Sequence, residues 1–416
     1  MDLIVTSPPY FGLRDYGYAG QIGSEGTPGE WLEVLWACTR EWVRVLKPEG
    51  SLFVNLGDKY SQRVATRPSS HQDGLFPHRP ELRKDWKRDR AAGLARMPYE
   101  NVIADDGRYI PEKSLMGLPW RYAIGCMDQL GLILRAEIVW AKPNGLPESV
   151  TDRVRRAHEQ VFHFTRQPRY YAAVDEIREP TNYYERPNAT RAVPPGTQRR
   201  TFADTCNPLG KLPGSVWEIP SAPLQVPARL GVDHFAAFPP ALVRPLVLGW
   251  SPPGVCTACA QGRRPVVEAE PVKSPKHADG SIMGSRRSNG DVRGWDGLPR
   301  FNMARAVTGY ACACTDLTID AGGEVWPSDD RGQPPPTRPA VVLDPFGGTG
   351  TTALVAAAYG RTGITVDLSA DYCRLARWRV HDPGERARAR AMPKPPPVPD
   401  GQETLFTIAE GYSPIF

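Results

Sequence analysis

The strongest constraint on this chain lies in its last quarter. An apolar run, AVVLDPF (340–346), breaks into the turn GGTG (347–350), continues as TTALVAAAYG (351–360) and ends in RTGITVDLS (361–369). Strand, glycine-rich turn, helix and second strand form the unit from which a parallel sheet with helical crossovers is wound. Gly347, Gly348 and Gly350 let the backbone approach a ligand closely. Asp367 stands roughly twenty residues beyond the turn, the place from which an acid reaches ribose hydroxyls. The unit predicts a Rossmann-like, doubly wound and mostly parallel α/β sheet that holds a nucleoside. It does not name the cofactor, although a nicotinamide site would prefer GxGxxG directly after the strand, and here Asp344, Pro345 and Phe346 lead the turn instead.

The rest of the chain repeats this alternation with long interruptions. Residues 3–5 read as a short strand, 31–46 as an amphipathic helix closed by KPEG, 51–56 as a strand, 119–130 as a helix, and 132–140 and 159–164 as two more strands of a parallel sheet. Residues 1–56 and 116–165 therefore form the first half of the core, 231–254 a joining segment on the cofactor side, and 316–381 the cofactor half. Three stretches read as inserted: a basic excursion at 57–115 that is densest over 83–96, an irregular Pro-rich segment at 166–230, and a polar segment at 255–315. A tail at 382–416 carries KPPPVP and reads as a flexible extension. The 44 prolines and 39 glycines among 416 residues, well above average usage of roughly 12%, suit such long loops.

Lys and Arg number 51 against 46 Asp and Glu, a balance that permits a nucleic-acid partner without requiring one. No apolar run is long enough to span a bilayer and the N-terminus carries no basic leader, so the expectation is a cytoplasmic protein with no membrane partner. Four of the eight cysteines are scattered; Cys256, Cys259, Cys312 and Cys314 are paired as CxxC and CxC. In a reducing compartment such pairs suit tetrahedral zinc better than disulfides, and they predict a small structural knuckle closed by a four-thiolate zinc site. Arg263, Arg264, Arg286 and Arg287 lie nearby and would face phosphate.

At the other end of the chain a strand runs into TSPPY, Thr6 to Tyr10. Pro8 and Pro9 fix the backbone and donate no N–H, Ser7 offers a hydroxyl acceptor, and Tyr10 offers a ring on which an extruded base can stack.

DPFGGTGTT resembles the cofactor motif of amino-group DNA methyltransferases, usually DPFxGxGTT, and TSPPY resembles their (D/N/S)PPY catalytic motif. NLGDKY (55–60), WAKPNGLPES (140–149), RRAHEQVFHFTRQPRYY (155–171) and SVWEIP (215–220) are similar to other family segments. The resemblance implies S-adenosylmethionine as cofactor, held by Asp344, Pro345, Phe346, Gly348, Gly350, Thr351 and Asp367, with His234 and Phe238 of HFAAFPPALVRPLV lining its methionine end. Ser7, Pro8, Pro9 and Tyr10 would be catalytic. Serine in the first position is commonest in enzymes acting on N4 of cytosine, as in restriction-modification systems; N6 of adenine is the closest alternative, and a catalytically inactive DNA-binding protein the alternative of another class. The catalytic motif precedes the cofactor motif, the circularly permuted order of the family's beta group. Relatives carry a further strand before TSPPY, so an incomplete start could leave the enzyme damaged. Double-stranded DNA is the expected partner, contacted through 166–230 (Arg191, Arg199, Arg200) and through the 83–96 run. QETLF (402–406) is similar to peptides that dock on the bacterial sliding clamp.

Overall fold

In the computed structural model the described residues are 1–13, 20–61, 110–145, 147–179, 210–224, 226–227, 230–232, 238–272, 302–311 and 337–394. The elements in chain order are β1 (Leu3–Thr6), α1 (Pro28–Val45), β2 (Ser51–Leu56), α2 (Leu118–Asp128), β3 (Ile133–Ala141), β4 (His158–Thr165), β5 (Val216–Glu218), α3 (Pro240–Trp250), β6 (Val255–Cys256), β7 (Arg264–Val272), β8 (Asn302–Ala311), β9 (Thr337–Arg338), β10 (Val341–Asp344), α4 (Thr351–Ala358), β11 (Thr362–Thr365), α5 (Ala370–His381) and α6 (Pro383–Ala389).

Seven strands form one sheet in the order β11-β10-β1-β2-β4-β3-β5. β11, β10, β1 and β2 are mutually parallel, and β5 is parallel to β3. β4 departs from the expected parallel arrangement and runs against both neighbours. The connection from β3 to β4 contains no helix among its described residues, and a parallel pair would need a crossover of that kind.

Both faces of the sheet are covered. Ile4, Leu52, Val54 and Leu56 join a cluster with Trp31, Leu35 and Trp42 of α1 and Tyr122 of α2. Leu3, Val5 and Phe53, one residue out of phase, join the opposite cluster with Leu242 and Leu246 of α3 and Leu354 and Val355 of α4. This two-sided burial is why β1 and β2 read as continuous apolar runs rather than alternating ones. α1 starts at Pro28, ahead of the periodic pattern that begins at Trp31, because Thr27 and Glu30 form a reciprocal capping box.

The chain leaves β10 through α4 toward β11, and leaves β1 through α1 in the opposite direction toward β2. A crevice therefore opens between the carboxyl ends of β10 and β1, the place where ligands bind in open α/β sheets. The glycine-rich turn follows one of these strands and TSPPY the other.

The 255–315 segment contains an antiparallel pair, β7 and β8, that runs from Arg264 opposite Ala311 to Val272 opposite Asn302 with one register shift between Val266 and Val267. Tyr171 Oη donates to the carbonyl of Arg263 at 3.0 Å, and Tyr310 Oη donates to Glu176, so the hairpin base is tied to the core. β5 falls inside the stretch expected to recognise DNA and extends the main sheet at its edge. His234, Cys312, Cys314, Arg191, Arg199, Arg200, Arg286, Arg287, the 83–96 run and the 402–406 peptide lie outside the described residues. Among the described helices none is long and apolar enough to cross a membrane.

Candidate active site

The glycine-rich turn is built from inside. Asp344 ends β10 fully buried, and its carboxylate accepts from Thr352 Oγ1 at 2.8 Å and from the Phe346 amide at 3.1 Å. Burial pushes its pKa up to about 6 against the opposing pull of those hydrogen bonds. Gly347 cannot carry a side chain, because a Cβ there would lie 1.4 Å from Thr365 Oγ1. Gly350 combines φ 76° with a would-be Cβ 2.4 Å from that of Ala376. Behind the turn, Arg379 of α5 is buried; its Nη1 donates to Thr349 O, Thr349 Oγ1 and Thr351 Oγ1 at 2.9–3.0 Å, and its Nε to Glu385 at 2.8 Å. Asp344 and Thr351, both expected at the cofactor, thus spend their side chains on the turn itself.

The open side of the turn fits a nucleoside. Gly348 has φ 48° and nothing within 4 Å of where a Cβ would stand, so its face is accessible. Asp367 closes the turn by accepting from Gly348 N and Ser369 N, each at 2.8 Å, and each oxygen retains a lone pair for a hydroxyl donor. Val366 and Leu368 on either side are 55% and 72% exposed, an apolar flank suited to a base. Phe346 packs edge-on against Trp42 at 5.7 Å between ring centroids.

TSPPY is instead held from outside. Trp31 Nε1 donates to the Pro9 carbonyl at 3.0 Å. The Tyr10 ring lies over Gly57, where a Cβ would come within 2.7 Å of it. Tyr10 Oη donates to Glu159 Oε2 at 2.8 Å; Asn55 Nδ2 reaches the same carboxylate oxygen at 2.8 Å, Tyr10 Oη at 2.9 Å and Ser7 Oγ at 3.3 Å. Ser7 Oγ and Tyr10 Oη are 3.4 Å apart. Lys142 Nζ pairs with the other oxygen of Glu159 and sits 4.1 Å from the Trp140 ring centroid. Phe238 shares a small, mainly apolar hollow with Val5, Thr6, Asn55 and Leu242, which places it beneath the TSPPY loop.

A DNA methylase family model, that of the N6 and N4 methyltransferases, matches residues 1–257 and 337–377. The chain belongs to this family. The chain is 36% identical over 251 residues to the Type II methyltransferase M.XycI of Xanthomonas campestris pv. cyanopsidis, covering 60% of this chain and 66% of that one. It is 34% identical over 255 residues to the Type II methyltransferase M.SmaI of Serratia marcescens, covering 61% and 70%. The chain thus spans about two thirds of the length of these relatives. A solved structure titled PvuII DNA methyltransferase (cytosine-N4-specific) is similar with TM-score 0.41 and 14% identity, over 93% of this chain and 77% of that one. Residues 258–336, which include the β7–β8 hairpin, fall between the two stretches that match the family.

The fold brings Ser7, Tyr10, Phe238 and the 344–351 turn with Asp367 to one end of the sheet. Among the described residues no cluster of His, Cys, Asp or Glu is arranged to hold a metal. Asn55, Lys142 and Glu159 had no assigned role in the sequence reading, although each lies in a segment similar to the family. Arg379 carries no signal in the sequence, and Glu385 falls in the stretch expected to be a flexible extension, whereas the structure forms α6 there with Glu385 and Ala389 buried.

Proposed function

We propose that this chain is a site-specific methyltransferase that moves the methyl group of S-adenosylmethionine to the exocyclic N4 amino group of cytosine in double-stranded DNA. N6 of adenine is the alternative acceptor. The observation that carries the reading is the position of Ser7 and of the open face of the glycine turn on adjacent strand ends, β1 and β10, across one crevice. Family membership supports the amino-methyltransferase class, and serine ahead of PPY favours cytosine. The motif order supports placement in the permuted beta group.

Bound at Gly348 and Asp367, S-adenosylmethionine supplies a methyl group made electrophilic by its sulfonium. The protein's own work is on the nitrogen. An aromatic amino group is a poor nucleophile because its lone pair is delocalised into the ring. Ser7 Oγ and the Pro8 carbonyl accept its two N–H bonds, which lets the nitrogen become more tetrahedral and frees the lone pair. Tyr10 supplies a ring against which the extruded base rests, and Pro8 and Pro9 keep the loop from yielding. Incubating duplex DNA with the protein and cofactor, digesting it to nucleosides and weighing them tests this directly. N4-methylcytosine is expected, N6-methyladenine selects the alternative acceptor, and neither product selects an inactive DNA-binding protein.

Within the same proposal, Cys256, Cys259, Cys312 and Cys314 hold one structural zinc. The hairpin register supports it: Arg264 pairs with Ala311, so CxxC ends five positions before the hairpin base and CxC begins directly after it. The long span between the two pairs is thereby accounted for. Elemental analysis should give about one zinc per chain, lost in Cys259→Ser with cofactor affinity retained; metal-free protein would end this part of the reading.

A further inference from the structure

The cluster formed by Lys142, Glu159, Asn55 and Tyr10 assigns a direction to every hydrogen bond that reaches Ser7. We infer that the Glu159–Lys142 pair is a positioning device that makes Ser7 an acceptor toward the target amino group. This rests on the proposed function and adds to it the residues that set the polarity of the catalytic hydroxyl.

The derivation is a count of protons. Glu159, paired with Lys142, presents an acceptor-only carboxylate to the loop. Tyr10 has one hydroxyl proton, and it goes to Glu159 Oε2 at 2.8 Å. Asn55 has two amide protons, and its two shortest contacts are Glu159 Oε2 at 2.8 Å and Tyr10 Oη at 2.9 Å; Ser7 Oγ, at 3.3 Å, is the longest of its three. The carboxylate also fixes which way the Asn55 amide faces, since turning it over would set Oδ1 against Glu159. Tyr10 Oη therefore faces Ser7 with a lone pair, and the Ser7 proton is drawn to it across 3.4 Å. With the longer Asn55 contact on one Ser7 lone pair, the other is left for an N–H of the base, whose second N–H goes to the Pro8 carbonyl. Were Tyr10 to donate to Ser7 instead, Ser7 would turn its own proton toward the amino group and oppose the reaction.

Three strands build the device. Asn55 lies in β2, Glu159 in β4 opposite Trp140 of β3, and Lys142 follows β3 with its amide held by the Ala157 carbonyl at 2.7 Å. All three segments belong to the stretch that matches the family. Glu159 and Lys142 do not touch the reacting atoms through any contact of their own with Ser7, which marks them as positioning rather than catalytic residues.

The test uses the full chain with Glu159→Gln, Lys142→Met, Lys142→Arg, Ser7→Ala and the Ser7→Ala/Glu159→Gln pair. Each is measured for kcat and KM in DNA methylation, for S-adenosylmethionine and duplex affinity by calorimetry, and for thermal midpoint. Glu159→Gln and Lys142→Met are expected to lose kcat by about 10-fold to 100-fold with both affinities within about twofold, while Lys142→Arg recovers most of the rate. The double variant should be slowed by less than the product of the single effects, because Glu159 acts on the amino group through Ser7. A full rate in Glu159→Gln and Lys142→Met would overturn the inference, as would a double variant slowed by the product of the single effects. If Glu159→Gln does not fold, the Lys142→Met and Lys142→Arg pair decides the matter alone. Wild-type protein that methylates no base under the same conditions would sink the proposed function itself, which keeps the two failures apart.

Discussion

The glycine-rich turn and the TSPPY loop stand on neighbouring strands but are built on opposite plans. The turn is supported by residues close in sequence: Thr352 is eight positions from Asp344, and Asp367 is nineteen from Gly348. The TSPPY loop is supported from far away, by Asn55 at a separation of 48 from Ser7 and by Glu159 at 149 from Tyr10. The turn is also walled by backbone and by buried side chains, so its shape is fixed before any ligand arrives. Ser7 and Tyr10 are only partly buried and take their orientation from polar partners. A rigid cradle and a tuned hydroxyl are what a methyl transfer to a weak nucleophile requires, since one must place the donor and the other must persuade the acceptor.

The largest way to break this contrast is to remove the strut behind the turn. Arg379→Met leaves Glu385 buried without its main partner and releases Thr349 and Thr351, and the chain should lose about 3–5 kcal/mol of stability in urea unfolding. Unchanged stability would mean that the turn is not held from inside. Asp367→Ala acts on the ligand side of the same turn. It removes the acceptor expected at the ribose along with two loop contacts, and S-adenosylmethionine should bind about 10-fold to 100-fold more weakly by calorimetry; equal affinity would refute the ribose assignment.

A smaller effect comes from His163, on β4 beyond the catalytic end. It stacks on Phe53 at 4.2 Å and is held neutral, with burial pushing its pKa down to about 3. Between pH 6.5 and 3 the unfolded chain therefore binds a proton that the folded chain refuses, and stability falls as pH falls through that window. Relative to His163→Asn, wild type should lose about 2 kcal/mol between pH 7 and pH 5. A difference that does not change with pH would show that His163 is not excluded from water.

This contrast also explains what could be read from the sequence. The turn was legible because its determinants are local: the glycines, the aspartates and the apolar strand are contiguous, and steric demands such as that at Gly347 leave a literal trace in the residue type. The strands were legible because both faces of β1 and β2 are buried. The reversed direction of β4 was not, since apolar content does not encode direction and only the lack of a crossover helix betrays it. Asn55 and Glu159 were seen as parts of similar segments without a role, because their meaning depends on meeting across three strands. The side-chain oxygens of Asp344 and Thr351 hydrogen-bond within the turn and its support, contacts that residue type alone does not reveal.

The most direct test of the division between cradle and hydroxyl is Ser7→Ala, followed by single-turnover methyl transfer and by cofactor titration on the same preparation. Removing one acceptor from the nitrogen should raise the barrier by about 2–4 kcal/mol, a rate loss of roughly 30-fold to 1,000-fold, with S-adenosylmethionine affinity unchanged within about twofold. A Ser7→Ala protein that transfers methyl at the wild-type rate would contradict the account, as would one whose loss lies wholly in cofactor binding.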